Sequence, residues 1–353
     1  MKKILAINPG STSTKIALFE RSRAIVQTNI TLTTLDLQQH PDLWDQFGLR
    51  KQSILSFLET HNILLSDLEA VVGRGGLLKP IPGGTYIVSE SMVTDARRGI
   101  QGQHASNLGC ALASDIAQAA GVTAYTVDPV CVDEFEPLAR YSGYPLIERR
   151  ALSHALNIHA VGHKAAEKLG IAYQTSNFVV THLGGGISIC ALRNGRIIDV
   201  NDASSDGPFT PERTGSLPMQ PFIGLACSGE YSEQDLRKLV MGNGGLVAYL
   251  RTNDAREVEQ RIKDGDSQAA EIYEAMAYQI AKEIGAMSTV LLGKVNGIVI
   301  TGGLAQSTML INWIQNRVHF IADVLVFPGE FEMEALAAGV VRVLEGIEQV
   351  RTY

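Results

Sequence analysis

Cysteine is scarce in this chain. Four thiols (Cys110, Cys131, Cys190 and Cys227) are spread over 353 residues without a Cys-x-x-Cys pair. That rules out a disulfide-rich framework and points to a reducing cytoplasm. A basic excess is also missing: 30 Lys and Arg face 37 Asp and Glu, a formal net charge of −7. A general nucleic-acid binder is therefore not expected, although local positive pockets for small anions are compatible with this balance. Long apolar runs are absent too. The stretch before Asn8 holds about five apolar residues, too few for a signal peptide core. The longest later stretch, Met287–Ile300, is broken by Lys294 and Asn296 and falls short of the ~20 residues a membrane helix needs. A soluble protein with no membrane partner is expected. What is present is a composition that buries real cores, 45% hydrophobic and 19% charged, and a length that suggests two domains at about 150 residues each.

Ile4–Ile7, Ile16–Phe19 and Ala24–Leu32 read as consecutive strands. Asp42–Thr60 has apolar residues at helical spacing, and Leu68–Val72 is a buried strand running into Gly73-Arg-Gly-Gly76. Helices over His104–Ala120 and Ala151–Leu169 flank a strand, Ala124–Val127, that ends at Asp128-Pro129. The order then recurs. Asn177–Thr181, Ser188–Leu192 and Arg196–Val200 are strands, the last two joined through Asn194-Gly195, a hairpin turn signature. Gly10 matches Gly184. Leu68–Gly76 matches Val295–Gly303, and Asp128-Pro129 is echoed by Phe327-Pro328. Three matches in one order indicate internal duplication, hence a two-lobed α/β protein with ligand turns at equivalent positions around an interlobe cleft. The expected division is an N-terminal lobe over 1–173, completed by a C-terminal helix near 333–353, and a second lobe over 174–332, joined without a Pro/Gly/Ser-rich linker.

Three glycine turns carry the chemistry. Asn8-Pro-Gly-Ser-Thr-Ser-Thr-Lys15 gathers the hydroxyls of Ser11, Thr12 and Ser13 with the Lys15 ammonium, a donor set suited to phosphate oxygens. It is not a P-loop, because GxxxxGK followed by Ser or Thr is absent. His182-Leu-Gly-Gly-Gly186 lets backbone N–H groups at Gly184, Gly185 and Gly186 approach an anion closely. Thr301-Gly-Gly-Leu-Ala-Gln-Ser307 runs from a strand through Gly302 and Gly303 into a helix, which suits a nucleotide's phosphates or its flat base.

This set, in this order, resembles the superfamily of acetate and sugar kinases, heat-shock cognate chaperones and actin, whose fold is a duplicated ribonuclease H-like (actin-like ATPase) α/β architecture. Within it the chain resembles the short-chain carboxylate kinases of the acetate kinase family, and most of all their butyrate kinase branch. The pieces are Ile7–Lys15, Gly73–Gly76, His182–Gly186, Pro208-Phe-Thr-Pro-Glu-Arg-Thr-Gly215 and Ile300–Ala305. The resemblance implies an ATP-dependent, Mg²⁺-requiring enzyme that makes an acyl phosphate from a short-chain fatty acid, reversibly, and a homo-oligomer. It implies that ATP meets Ser11, Thr12, Ser13, Lys15, His182, Gly184, Gly185, Gly186, Gly302 and Gly303. Asp254 and Arg256 match a nucleotide-contacting Asp-x-Arg segment, with a helix N-cap as the other reading of Asp254. Asn8 and an acid at Glu332 or Glu334, with Glu334 taken as the ligand, match metal positions. Arg74 is implied to hold the substrate carboxylate and Arg213 to stabilise the transferring phosphoryl group. Asp128 is placed at the reaction centre as an orienting or Mg²⁺-water contact.

The chemistry agrees with those roles. A fatty acid has a pKa near that of Glu, ~4.3, so its carboxylate is already a nucleophile at neutral pH and needs no strong base. The difficulty is bringing one anion against another, which calls for positive charge and alignment. Two departures from acetate kinases favour the butyrate branch. In Arg149-Arg-Ala-Leu-Ser-His-Ala-Leu-Asn-Ile158 only His154 keeps its register, their second histidine aligning with Ile158, while His159 lies one residue off. The adenosine turn reads Gly-Gly-Leu-Ala where acetate kinases carry a Gly-Glu-Asn type. A kinase for acetate, propionate, isobutyrate or a sugar, and a non-metabolic actin-like ATP switch, are the rival expectations.

Overall fold

The computed structural model describes residues 2–353, which divide into two units. Unit 1 comprises residues 2–133, Ala155–Ala160 and Phe331–Tyr353, and unit 2 comprises Glu134–His154 and Val161–Glu330. Unit 1 is built on a six-stranded sheet of β1 (Lys3–Pro9), β2 (Ser13–Glu20), β3 (Arg23–Thr31), β4 (Leu68–Gly73), β5 (Thr85–Ile87) and β6 (Thr123–Val127), in the order β3-β2-β1-β4-β6-β5. β1 is antiparallel to β2 and parallel to β4, so β1 lies inside the sheet and is apolar on both faces. Alternate residues of β1 feed two cores. Ile4 and Ala6 join Phe19, Val72, Leu336 and Val340 on one face. Leu5 and Ile7 join Ile16, Leu18, Leu108 and Leu112 on the other.

The helices of unit 1 are α1 (Thr34–Gln39), α2 (Gln46–Thr60), α3 (Glu90–Arg98), α4 (Asn107–Ala120) and the opening residues of α5 (Ala155–Leu169). Unit 2 carries a small hairpin, β7 (Tyr141–Tyr144) and β8 (Ile147–Glu148), and a five-stranded sheet of β9 (Asn177–Leu183), β10 (Ile187–Arg193), β11 (Arg196–Val200), β12 (Gly297–Gly302) and β13 (Val324–Pro328). Its order, β11-β10-β9-β12-β13, repeats β3-β2-β1-β4-β6 strand for strand. Around it lie α6 (Met219–Ala226), α7 (Glu233–Val240), α8 (Gly245–Leu250), α9 (Ala255–Lys263), α10 (Ser267–Val290) and α11 (Thr308–Val318). Tyr273, Met276, Ile280 and Ile284 of α10 form the centre of that core with Ile298 and Ile300. The last helix, α12 (Glu332–Leu344), returns to unit 1. Each of its fully buried Leu336 and Val340 side chains contributes about 1.5–3 kcal/mol of apolar burial.

Several elements differ from the sequence reading in extent. β2 begins at Ser13, so the first turn contracts to Gly10–Thr12. α4 begins at Asn107 and α5 at Ala155, later than their apolar spacing suggests. β5 escaped notice because three residues carry no periodicity; it is held by pairing with β6 and by Arg351, whose N–H donates to Thr85 O at 2.8 Å. The Asn194-Gly195 turn forms as expected, with φ of 52° and 75°.

α4 can lie against the end of β4 only because glycine meets glycine. A Cβ on Gly73 would run into Gly109 O, and a Cβ on Gly109 would run into Arg74 O. Gly109→Ala is therefore expected to cost stability near the top of the ~1–3 kcal/mol range for overpacking. Thermal unfolding at pH 7 measures it, and a melting temperature equal to wild type would show that this contact can relax.

Candidate active site

In unit 1 the hydroxyl turn is a tight hairpin: Gly10 N–H donates to Ser13 O at 2.7 Å, and Thr12 O accepts from Leu32 N–H at 2.8 Å. Ser11 and Thr12 are exposed and Ser13 is half-buried, while Lys15 lies on β2 opposite Asn8. Asn8 is buried and its Nδ2 donates to Glu332 Oε2 at 2.6 Å. Glu332, on the first turn of α12, also ion-pairs through Oε1 with Nη1 of Arg74. Burial alone would raise the Glu332 carboxyl. The Arg74 cation, hydrogen bonds from Arg74 and Asn8, and the Lys15 charge together hold it below its ordinary value. The acid that meets Asn8 is thus Glu332, and Glu334 is exposed on the same helix.

Arg74 follows β4, with its own N–H fixed on Ile7 O at 2.9 Å. Its side chain is 16% exposed, and among the described residues its guanidinium hydrogen-bonds only from Nη1 to Glu332, leaving Nε and Nη2 without a hydrogen-bond partner there. Burial, and then the Arg74 charge, push the nearby His104 imidazole down. Asp128 follows β6 with φ of +40°, a conformation Asp tolerates better than most side chains. It is buried and its Oδ1 accepts from Gly84 N–H at 2.6 Å, with His159 Nε2 4.0 Å away. Below the hydroxyl turn sits Arg50 of α2, fully buried and bonded to the turn's carbonyl oxygens. Sequence reasoning missed it, because nothing in its local sequence distinguishes it from other helix cations.

In unit 2 the second turn joins β9 to β10, and Gly184 N–H donates to Gly186 O at 3.2 Å. Gly186 is bare because Arg213 lies on it: an added Cβ would sit 2.5 Å from Arg213 Nη1. Arg213 is placed by its loop. Thr210 Oγ1 donates to Gly185 O at 2.6 Å and accepts from Arg213 N–H at 3.0 Å. Arg213 Nη1 donates to Ala203 O at 2.6 Å, whereas its Nε is buried with no hydrogen-bond partner among the described residues. An orphaned buried donor costs about 1–3 kcal/mol, a cost an incoming anion would relieve. Burial pulls the guanidinium below its ordinary value, opposed by Glu212 and Asp202, yet it stays charged. His154 precedes α5, with Nδ1 2.9 Å from Ser188 Oγ and its ring stacked on buried His182 at 3.9 Å.

Gly302 ends β12 with φ of +95°, and a Cβ there would strike Leu183 O. Gly303 has open space around its α-carbon, and a 3₁₀ turn over Gly303–Gln306 precedes α11. Asp254 caps α9: Oδ1 accepts from Arg256 N–H at 2.9 Å, and the Arg256 guanidinium closes back on it at 2.7 Å. That hydrogen bonding holds the Asp254 carboxyl down at about 2. The Arg256 side chain of this pair is exposed and the Asp254 side chain partly so.

Arg74, Glu332, Asn8 and Asp128 thus belong to unit 1 with the hydroxyl turn; Arg213, His154, His182 and the two other glycine turns belong to unit 2. Among the described residues no group of three or more His, Cys, Asp or Glu is arranged as a metal site, and no helix is long and apolar enough to cross a membrane.

Two sheets of one strand order, each offering bare turns at its strand ends, define the actin-like ATPase fold. The chain aligns with an acetate kinase from Porphyromonas gingivalis at a TM-score of 0.81 and 17% identity, over 98% of this chain and 100% of that one. A propionate kinase from Francisella tularensis gives 0.75 and 19% over 96% and 99%. An acetate kinase from Entamoeba histolytica gives 0.76 and 15% over 96% and 98%. The model of the acetokinase family matches residues 145–322, half of the sequence, and the chain belongs to that family.

The lowered Glu332 carboxyl has a pH signature. A depressed pKa stabilises the fold above the ordinary carboxyl value near 4.5, and that contribution disappears as pH falls through the folded value. Glu332→Gln should therefore flatten the fall in melting temperature between pH 6 and pH 3. Parallel wild-type and variant profiles would show that Glu332 does not contribute to acid unfolding.

Proposed function

We propose that this protein transfers the γ-phosphoryl group of ATP to a short-chain fatty acid, butyrate by preference, and runs the reverse reaction at the same site. A carboxylate oxygen attacks the γ-phosphorus, the bond to the β–γ bridging oxygen breaks, and ADP leaves; no proton has to move. The observation that carries this reading is Arg74: a mostly buried guanidinium steadied by Glu332 through one nitrogen while Nε and Nη2 stay open. A fork of that kind matches a carboxylate in bidentate geometry. A sugar hydroxyl would instead require a base to take its proton.

In this scheme the bare turns at Gly184–Gly186 and Gly302–Gly303, with His182, take the nucleotide, and Ser11, Thr12, Ser13 and Lys15 take phosphate oxygens. Arg213 supplies charge to the transferring group, its buried Nε having no hydrogen-bond partner among the described residues. His154, braced on Ser188 and His182, orients that side of the site. Asp128, locked by Gly84, orients the acceptor. Mg²⁺ bound to the phosphates would neutralise their charge. Because this ion keeps several waters and needs only one or two protein oxygens, Asn8 and Glu332 are a fitting pair to hold it through water. Asp254 and Arg256, hydrogen-bonded to each other and with the arginine side chain in solvent, are assigned to the nucleotide by the resemblance.

Support for butyrate over the acids in the names of the structural relatives comes from buried Ile158, apolar where acetate kinases carry a histidine, and from the Gly-Gly-Leu-Ala turn. A methylene is worth only ~1–3 kcal/mol, so neighbouring acids should react more slowly but measurably. Four unpaired cysteines fit a cytoplasmic setting.

With ATP, butyrate and hydroxylamine the protein should yield a hydroxamate, and kcat/KM should peak at butyrate across acetate, propionate, isobutyrate and valerate. Removing one oxyanion-type donor costs about 10²–10³ in kcat, and Arg213→Ala should fall in that range. Arg74→Ala should act mainly by raising the carboxylate KM. Hydroxamate formation confined to acetate would sink the butyrate preference, and ATP hydrolysis indifferent to any acid would sink the whole reading.

A further inference from the structure

Arg50 is a buried charge without a counter-charge among the described residues. It lies in the second turn of α2 and is 0% exposed. None of its partners is an acid. Nη1 donates to Ser13 O at 2.8 Å and Thr14 Oγ1 at 2.9 Å, and Nη2 donates to Gly10 O at 2.9 Å and more weakly to Ser11 O at 3.4 Å. Gln46, one turn earlier on α2, accepts from Nη2 at 2.8 Å and from Nε at 3.3 Å. Gln46 is itself fixed, its Nε2 donating to His40 O at 3.1 Å.

The consequence lies on the other side of the turn. Backbone carbonyls of Gly10, Ser11 and Ser13 are engaged by one buried guanidinium, while Ser11 and Thr12 of the same turn, each with a hydroxyl, are exposed to solvent. Burying an unpaired ion is costly, and neutral oxygens offset that cost without cancelling the charge. A hydroxyl-rich turn with a full positive charge beneath it is a site for a polyanion.

We infer that Arg50 is a positioning residue for nucleotide phosphates: it holds the Gly10–Thr12 turn and the start of β2 by their carbonyls and supplies an unneutralised charge beneath them. This rests on the kinase reading above and goes beyond it, because Arg50 touches no substrate and works through the turn alone. The role is specific to one substrate, which a plain structural strut would not be.

The test uses the whole chain, with calorimetric binding of ATP and of inorganic tripolyphosphate beside steady-state kinetics. Arg50→Gln is expected to weaken both polyanions at least tenfold and to raise the KM for ATP, while the KM for the carboxylate stays within twofold. Arg50→Lys keeps the charge but not the fork. It should show a smaller loss, about threefold, with wild-type dependence on ionic strength. A folded Arg50→Gln protein that binds ATP as wild type overturns the inference, and so does an equal loss for both substrates. If Arg50→Gln does not fold, Arg50→Lys decides: unchanged ATP affinity overturns the role and a threefold loss supports it. Wild-type protein that binds neither polyanion overturns the kinase reading as well, whereas normal wild-type binding with an indifferent variant removes Arg50 alone.

Discussion

Close backbone approach at the ends of parallel strands is the constraint on which the rest depends. Gly73 and Gly109 let α4 press against the end of β4 and thereby fix the backbone of Arg74. Gly302 lets β12 pass against Leu183, the residue that leads into the second turn. Gly186 makes room for the guanidinium of Arg213. In each case a missing Cβ is replaced by a backbone or cationic group, so the glycines are determinants of geometry before they are contacts for a ligand. The duplicated strand order then presents the same kind of strand end in both units.

A molecule of net charge −7 has to concentrate positive potential to attract a polyanion. On the reading proposed above, it does so by burying arginines under incomplete compensation. Arg50 meets only neutral oxygens, Arg74 one carboxylate, and Arg213 a carbonyl with one nitrogen left unpaired. Exposed pairs such as Arg237 with Glu233 differ in kind: solvent screens them and they contribute little. The contrast separates buried, partly compensated charges, which the proposed function assigns to a ligand, from exposed pairs in solvent.

Much of this was legible in the sequence, for physical reasons. The repeat was visible because equivalent strand ends impose equivalent glycine patterns, and Arg74 and Arg213 stood out because glycine or proline punctuates the chain around them. The acid that meets Asn8 was not, since Glu332 and Glu334 both sit in the opening turn of α12 and only packing against β1 decides which turns inward. Arg50 was not legible: besides the side chains of Gln46 and Thr14, its partners are backbone carbonyls of Gly10, Ser11 and Ser13, about forty residues earlier, and backbone carbonyls leave no trace in composition or spacing. Asp254 and Arg256 carried a recognisable signature, yet the fold uses it first as a helix cap.

The return of α12 to unit 1 bears on how the chain is born. β1 emerges from the ribosome early, but the helix that roofs its Ile4 and Ala6 face is made only after every residue of unit 2. Unit 2 can close around α10 while that greasy stripe of unit 1, running through Phe19, Ala70 and Val72, still waits uncovered. Nascent chains of this protein therefore pass through a long interval with half a sheet exposed, when self-association competes with completion and a holding chaperone has most to offer.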